Sequence, residues 1–338
     1  MMRLTPETEL LLQLIDADGR NVSARLSKAL SMSRQAASAR IRAIAAKGLI
    51  EGAGRGPGVF YRLKSLRETE RTFDRQGLSE DRAWTQVIAP LVRSFPDNVL
   101  EIWHYGITEM VNNAIDHSDA PSVTVGISQD ALYTEAWVYD NGIGIFEKIQ
   151  KSLNLDDPRE AILELAKGKY TTDPRRHSGE GIFFSAKLFD QFDIRSQQVQ
   201  LTPDSDWNHW RMDPAGTSQG TWVLMRLSNQ SQRIAQDVFN KFAKPDEFTF
   251  AKTIVPVRLA QSGGEGLVSR SQAKRLVFRF EKFETIILDF EGIKNIGQGF
   301  ADEIFRVFQN AHPRTKLVPV NADPLVKKMI SRAKSQRN

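Results

Sequence analysis

Glu109, Asn113 and Asp116 stand at i, i+4 and i+7 in the run Trp103-His104-Tyr105-Gly106-Ile107-Thr108-Glu109-Met110-Val111-Asn112-Asn113-Ala114-Ile115-Asp116-His117. A helix places all three on one face. A carboxylate one turn from a carboxamide, on a helix otherwise apolar, marks a candidate site; read alone, it is equally an ordinary solvated polar stripe. Three glycine-bearing stretches follow: Asp140-Asn141-Gly142-Ile143-Gly144-Ile145, Ser178-Gly179-Glu180-Gly181-Ile182 and Gly220-Thr221-Trp222. Asp140-Asn141-Gly142 by itself is a plain turn after a strand. The chain has no cysteine, and its five histidines show no metal-ligand spacing. Any metal is therefore a hard one carried in with phosphate.

The elements that must position these residues are readable in outline. Ile102, Trp103, Ile107, Met110, Val111, Ala114 and Ile115 give the Glu109 helix a wide apolar stripe. Before it, residues 64–76 are charged and read as a connector, part of a helical connector over 66–96. Ser79 is a good N-cap for a helix through residue 94, broken or kinked at Pro90. Residues 123–128 and 132–140 alternate apolar and polar side chains across a short turn, as paired strands do. A helical patch over 159–167 and a long polar run, 168–181, come next; so long a polar loop inside a domain is usually functional or disordered. A helix over 182–189 and strands over 192–201, 207–212 and 221–227 complete an α/β sandwich.

In this order, Glu-x-x-x-Asn on a helix, Asp-x-Gly-x-Gly, Gly-x-Gly and Gly-Thr resemble the nucleotide-binding fold of the GHKL superfamily, which contains DNA gyrase, heat-shock chaperones, sensor histidine kinases, mismatch-repair ATPases and anti-sigma-factor kinases. The resemblance implies ATP and Mg²⁺ as ligands of a domain over residues 97–230 with a Bergerat-type α/β sandwich. It implies that Asp140 accepts from the adenine amino group, that Gly142 and Gly144 let the backbone pass beneath the base, and that Thr221 supports the contact. Asn113 would coordinate Mg²⁺, and Glu109 would orient or deprotonate the attacking water or hydroxyl. Gly179 and Gly181 would turn backbone N–H groups toward phosphate. Lys169, Arg175 and Arg176 are the lid residues that could reach the γ-phosphate. The larger ATPases of the superfamily take a lysine from a transducer domain, which nothing in residues 230–338 resembles, so turnover is expected to be slow or conditional. Asp116 gains no role beyond bracing the helix end.

Residues 1–64 carry eleven Lys/Arg against five Asp/Glu, a net charge of +6, whereas the whole chain carries +5. A basic module points to a polyanion. Helices over 4–16, 22–30 and 34–47, then a Gly-tipped hairpin over 49–63, resemble a winged helix-turn-helix occupying residues 1–65, as found in bacterial regulators. Arg34, Gln35, Ser38 and Arg42 project from the N-terminal half of the third helix, where base edges and phosphates are met, and Arg55 lies in the wing. Such modules also serve as dimerisation or docking elements.

Residues 231–338 alternate strands (248–259, 285–290, 315–320) with helices (269–282, 300–311, 323–334), an α/β layer. The stretch from Ile286 to Phe305 resembles the strand-loop-helix of STAS domains, the fold of anti-anti-sigma factors. The phosphorylated members of that family carry a hydroxyl in the loop before the helix, whereas Asn295-Ile296-Gly297-Gln298-Gly299 has none. The unit is then an interaction module for a protein partner. Together the fold class is multidomain α/β: winged helix, Bergerat-type sandwich, small STAS-like unit.

Hydrophobic content of 41% and 26% charged residues suit a globular chain, and no apolar run approaches the roughly 18–20 residues of a membrane span. A cytoplasmic location, no membrane and a homodimer, the default for such regulators, are the expectations. Three functions remain open: an ATP-responsive regulator bound to double-stranded DNA, an anti-sigma-type serine/threonine kinase acting on a partner, and a DNA-stimulated ATPase clamp in repair or antiphage defence.

Overall fold

The computed structural model describes residues 4–54, 58–157, 160–171, 179–203, 210–243, 250–261 and 266–335. It is a mixed α/β molecule of three packed units. In the first, α1 (Pro6–Ala17), α2 (Val22–Ala29) and α3 (Arg34–Ala46) precede an antiparallel hairpin, β1 (Ile50–Ala53) and β2 (Phe60–Leu63). Thr5 and Ser33 cap α1 and α3 by accepting from backbone N–H groups three residues on. Leu11, Leu12, Ile15, Leu26, Ile41 and Ile44 close its core, which extends onto Leu132 of the second unit.

The second unit opens with a correction. Residues 67–74, expected as part of a helical connector, form β3 (Arg67–Asp74), an edge strand pairing antiparallel with β4 (Ser122–Gln129). Only Phe73 of β3 is buried, so the strand has no apolar alternation to betray it, and its charges blunt a free edge. The segment after Ser79 is helical, as α4 (Glu80–Ala83), a π turn (Trp84–Ile88) and α5 (Ala89–Val92). Pro90 cannot donate to the helical ladder, and the Ala89 N–H bonds instead to Trp84 O, five residues back.

The Glu109 helix is α6 (Asp97–His117); its buried positions, from Val99 through Ala114, recur at three and four residues. It lies across the sheet, with Trp103 edge-on to Phe189 at 4.9 Å between ring centroids. Then come β5 (Tyr133–Asp140), α7 (Ile145–Leu153), α8 (Glu160–Lys167), α9 (Gly181–Leu188), β6 (Gln191–Pro203) and β7 (Trp210–Ser228). The five strands stand in the order β3-β4-β5-β7-β6, every neighbouring pair antiparallel. β7 runs as one strand where two were expected, and α7 had no sequence signal of its own.

The third unit contains α10 (Ala235–Asn240), β8 (Lys252–Pro256), α11 (Arg270–Val277), β9 (Thr285–Asp289), α12 (Gln298–Asp302), a π turn (Glu303–Phe308), α13 (Gln309–Ala311), β10 (Lys316–Val320) and α14 (Pro324–Ser335). Its three strands are parallel with β9 central. The strand expected over 248–259 is shorter and runs into a 3₁₀ turn, Val257–Ala260. Expected as a separate unit, it shares one apolar core with Leu163 of α8 and Phe183 and Phe184 of α9. Each such fully buried side chain contributes roughly 1.5–3 kcal/mol. Among the described residues, no helix is long and apolar enough to cross a membrane.

Candidate functional site

β5 alternates strictly, with Thr134, Ala136, Val138 and Asp140 buried and the residues between them half-exposed. Its last inward position thus carries a carboxylate, 5% exposed, where an aliphatic residue would continue the pattern. Asp140 Oδ1 accepts the Gly142 N–H at 2.9 Å. Burial pushes the carboxyl above the usual range, while hydrogen bonds from Gly142 and Thr221, and more weakly the Lys148 charge, pull it down. Thr221 is the register partner of Asp140 on β7, and its hydroxyl accepts the Ile145 N–H at 3.0 Å, fixing the start of α7.

Asp140 and Thr221 border a cavity of about 240 Å³. Glu109 and Asn113 line it from α6, Ile145, Lys148 and Ile149 from α7, and Gly181 and Ile182 from α9. Met110, Val138, Ile145 and Val223 make one part of its wall apolar; Glu109 and Asn113 bring oxygen donors to another. Asp116, by contrast, is exposed and outside the cavity. Gly144 and Gly179 line the wall as well.

Two glycines show how tightly the backbone is drawn around this space. A methyl on Gly181 would meet Glu109 Oε2 at 1.9 Å, so any side chain at the first turn of α9 would push the α6 carboxylate from its present place. At Gly220, φ is +76° and a methyl would stand 1.9 Å from Asp140 O. Gly142 serves a related approach, under the Ser118 carbonyl at the end of α6. The Ile143 N–H bonds to that same carbonyl, tying the Asp140–Gly144 turn to the helix.

Seven of the eight residues expected around a nucleotide and its catalyst (Glu109, Asn113, Asp140, Gly144, Gly179, Gly181 and Thr221) thus line one cavity, while Gly142 holds the turn beneath it. Lys169 is placed otherwise. Its ammonium donates to Lys282 O at 3.1 Å and packs over the Phe250 and Phe283 rings, away from the cavity. Arg175 and Arg176 lie outside the described residues. Lys148 was missed: it donates to His117 O at 2.6 Å and pairs with Asp119 at 3.3 Å on the cavity wall. Its sequence signal was a lysine one turn beyond Gly144. Tyr170, also missed, lines the cavity and hydrogen-bonds Ser152 at 2.5 Å. The Tyr105 phenol, one turn before Glu109, is pushed far up by burial and then by the Glu109 and Glu180 carboxylates. Among the described residues there is no cluster of three His, Cys, Asp or Glu able to hold a metal.

On α3, Arg34, Gln35 and Arg42 are exposed and Ser38 is half-buried. Arg40 instead pairs with Glu7 at 2.6 Å. Arg55 lies outside the described residues. The first unit docks where β5 begins: Asp16 pairs with Arg226 at 2.6 Å, and the Arg226 guanidinium sits 3.9 Å over the Tyr133 ring.

Residues 272–327 match the family model of a STAS-like domain of unknown function, DUF4325. The C-terminal unit is therefore STAS-like. No curated protein matches the chain.

Proposed function

We propose that the chain is an ATP-binding, DNA-binding regulator, in which a GHKL-type nucleotide switch of the Bergerat fold over residues 97–230 controls an N-terminal winged helix-turn-helix. The observation that carries this reading is the buried Asp140–Thr221 pair at a partly apolar cavity whose other wall bears Glu109 and Asn113. An adenine amino group offers the donor that a buried carboxylate needs, and apolar walls suit the faces of a base. The oxygen donors of Asn113 and Glu109 suit a hard cation that keeps several of its waters, as Mg²⁺ does beside phosphates. When bound, Mg²⁺ would neutralise phosphate charge. Glu109 would hold a water or hydroxyl in line as acceptor. With Lys169 turned away, hydrolysis is expected to be slow.

The DNA arm of the reading rests on the basic charge of the first unit and on the exposed Arg34, Gln35 and Arg42. Its link to the nucleotide rests on β5, which reaches from the docked first unit at Tyr133 to Asp140. A dimer would present two such helices to successive half-sites.

Binding of Mg-AMPPNP to the purified full chain tests the first arm. At a hundred times its dissociation constant the ligand should stabilise the fold by about 2.7 kcal/mol, whereas Mg-GMPPNP should do little. No thermal shift at millimolar Mg-AMPPNP would remove the nucleotide reading. Duplex DNA binding at low salt tests the second. The double variant Arg34→Ala/Arg42→Ala should weaken binding across all sequences and reduce the slope of log K against log salt by about 2. An unchanged slope would take α3 off the DNA.

A further inference from the structure

The segment leading from α8 to the cavity wall is fastened to the STAS-like unit by buried charges. Glu164, 2% exposed, lies between two cations: Lys167 Nζ at 2.5 Å and Arg279 Nη1 at 2.8 Å. The Lys167 ammonium also donates to Arg275 O and Phe278 O, at 3.1 and 2.9 Å, and so caps the carbonyl end of α11. Thr253 of β8 bonds the Lys167 carbonyl at 2.7 Å, and Arg275 pairs with Glu160 at 2.6 Å. Arg279 reaches further along the chain, donating to the Lys169 carbonyl and lying 5.5 Å from the centre of the Tyr170 ring. Tyr170 is a wall of the cavity.

Charges this deeply buried are costly to place, and removing one partner strands the others. The network therefore holds one arrangement, in which residues 167–171 move only if the STAS-like unit moves with them.

We infer that Arg279 is a positioning residue for the nucleotide cavity, and that the STAS-like unit, through Arg279, sets the affinity of a site whose lining, among the described residues, comes from the other units. The affinity claim rests on the nucleotide reading above; the anchoring claim does not. A protein docking on the STAS-like unit and a nucleotide in the cavity are then coupled reciprocally.

The test uses the full chain with Arg279→Lys, which keeps a cation for Glu164 but loses the forked reach to Lys169 and Tyr170, beside the more severe Arg279→Met. Hydrogen exchange of residues 168–171 is followed without ligand, and Mg-AMPPNP affinity is measured in parallel. Arg279→Lys should speed exchange at 168–171 about tenfold while β4 and β5 stay protected, and should weaken Mg-AMPPNP by about the same factor. A folded Arg279→Lys protein with unchanged exchange and unchanged affinity would overturn the proposal. Wild-type protein that binds no nucleotide would instead overturn the functional reading, and exchange at 168–171 would then decide the anchoring by itself.

Discussion

Asp140→Asn is expected to weaken Mg-AMPPNP binding about a hundredfold or more while leaving the unliganded protein at least as stable as wild type, since losing a charged acceptor and facing the base amino group with a second donor costs close to 3 kcal/mol. The two effects have one cause. Burial holds the Asp140 carboxyl above its ordinary range. Below that ordinary range, folded and unfolded chains both carry the proton and nothing is lost. As pH rises through the raised value in the folded state, the carboxyl must ionise where the charge is disfavoured, and stability falls. Asparagine carries no such penalty at neutral pH and can still accept the Gly142 N–H. Melting temperatures of the two proteins should accordingly converge as pH is lowered toward the carboxylate range. Unchanged affinity would show that Asp140 does not meet the nucleotide, and a marked loss of unliganded stability would make it a structural carboxylate.

Gly220→Ala is expected to be among the most destabilising single-methyl additions in the central sheet. A non-glycine residue at this positive φ costs about 1–3 kcal/mol, and the contact with Asp140 O adds about 1–3 kcal/mol of overpacking. Together that corresponds to a fall in melting temperature of roughly 3–9 °C for a chain of this length. The obstacle is backbone, at 1.9 Å, and cannot rotate aside. Relief requires β5 and β7 to part where Asp140 faces Thr221, so nucleotide affinity should fall with stability. Gly266→Ala, whose methyl would meet, among the described residues, only Val268 at 3.7 Å, is the control and should shift stability by less than about 1 kcal/mol. Thermal unfolding checks both; equal melting temperatures for the two variants would contradict the strain ascribed to Gly220.

Much of the site was legible because it interrupts strong periodicities. Glu109 and Asn113 stand out against a helical apolar stripe, and Asp140 occupies an inward position of an alternating strand. The elements that escaped are those in which the physics lies outside the local pattern. β3 is an edge strand with one buried residue, so its charges read as a connector. α7 begins at Ile145, after Gly144, and its first N–H is held by the Thr221 hydroxyl from β7, some eighty residues on in the chain, a contact invisible before folding. Lys169 sits in a polar, glycine-flanked run that suggests phosphate, yet two phenylalanine rings and a carbonyl of the STAS-like unit draw it elsewhere. Glu164 and Lys167, three apart on a helix, look like a solvated ion pair; the packing of α8 against the STAS-like unit makes them a buried one. The STAS-like unit itself was recognisable from one strand-loop-helix, and the family match extends that recognition to residues 272–327.

The pairing of Asp140 with Thr221 also sets a timetable for biosynthesis. β5 emerges from the ribosome some eighty residues before its partner, and closing a flexible loop of that length costs about 4 kcal/mol that no local contact repays. At cellular synthesis rates of about 5–20 residues per second, the nascent chain spends roughly 4–16 s with half of its cavity made. During that interval Asp140 lacks the strand that borders it, and Phe183 and Phe184 lack the STAS-like core that covers them. The cavity is therefore complete only on a chain translated beyond Ser228, and its Tyr170 wall reaches its Arg279 anchor only later still; under the proposed function, nucleotide binding should follow the same order.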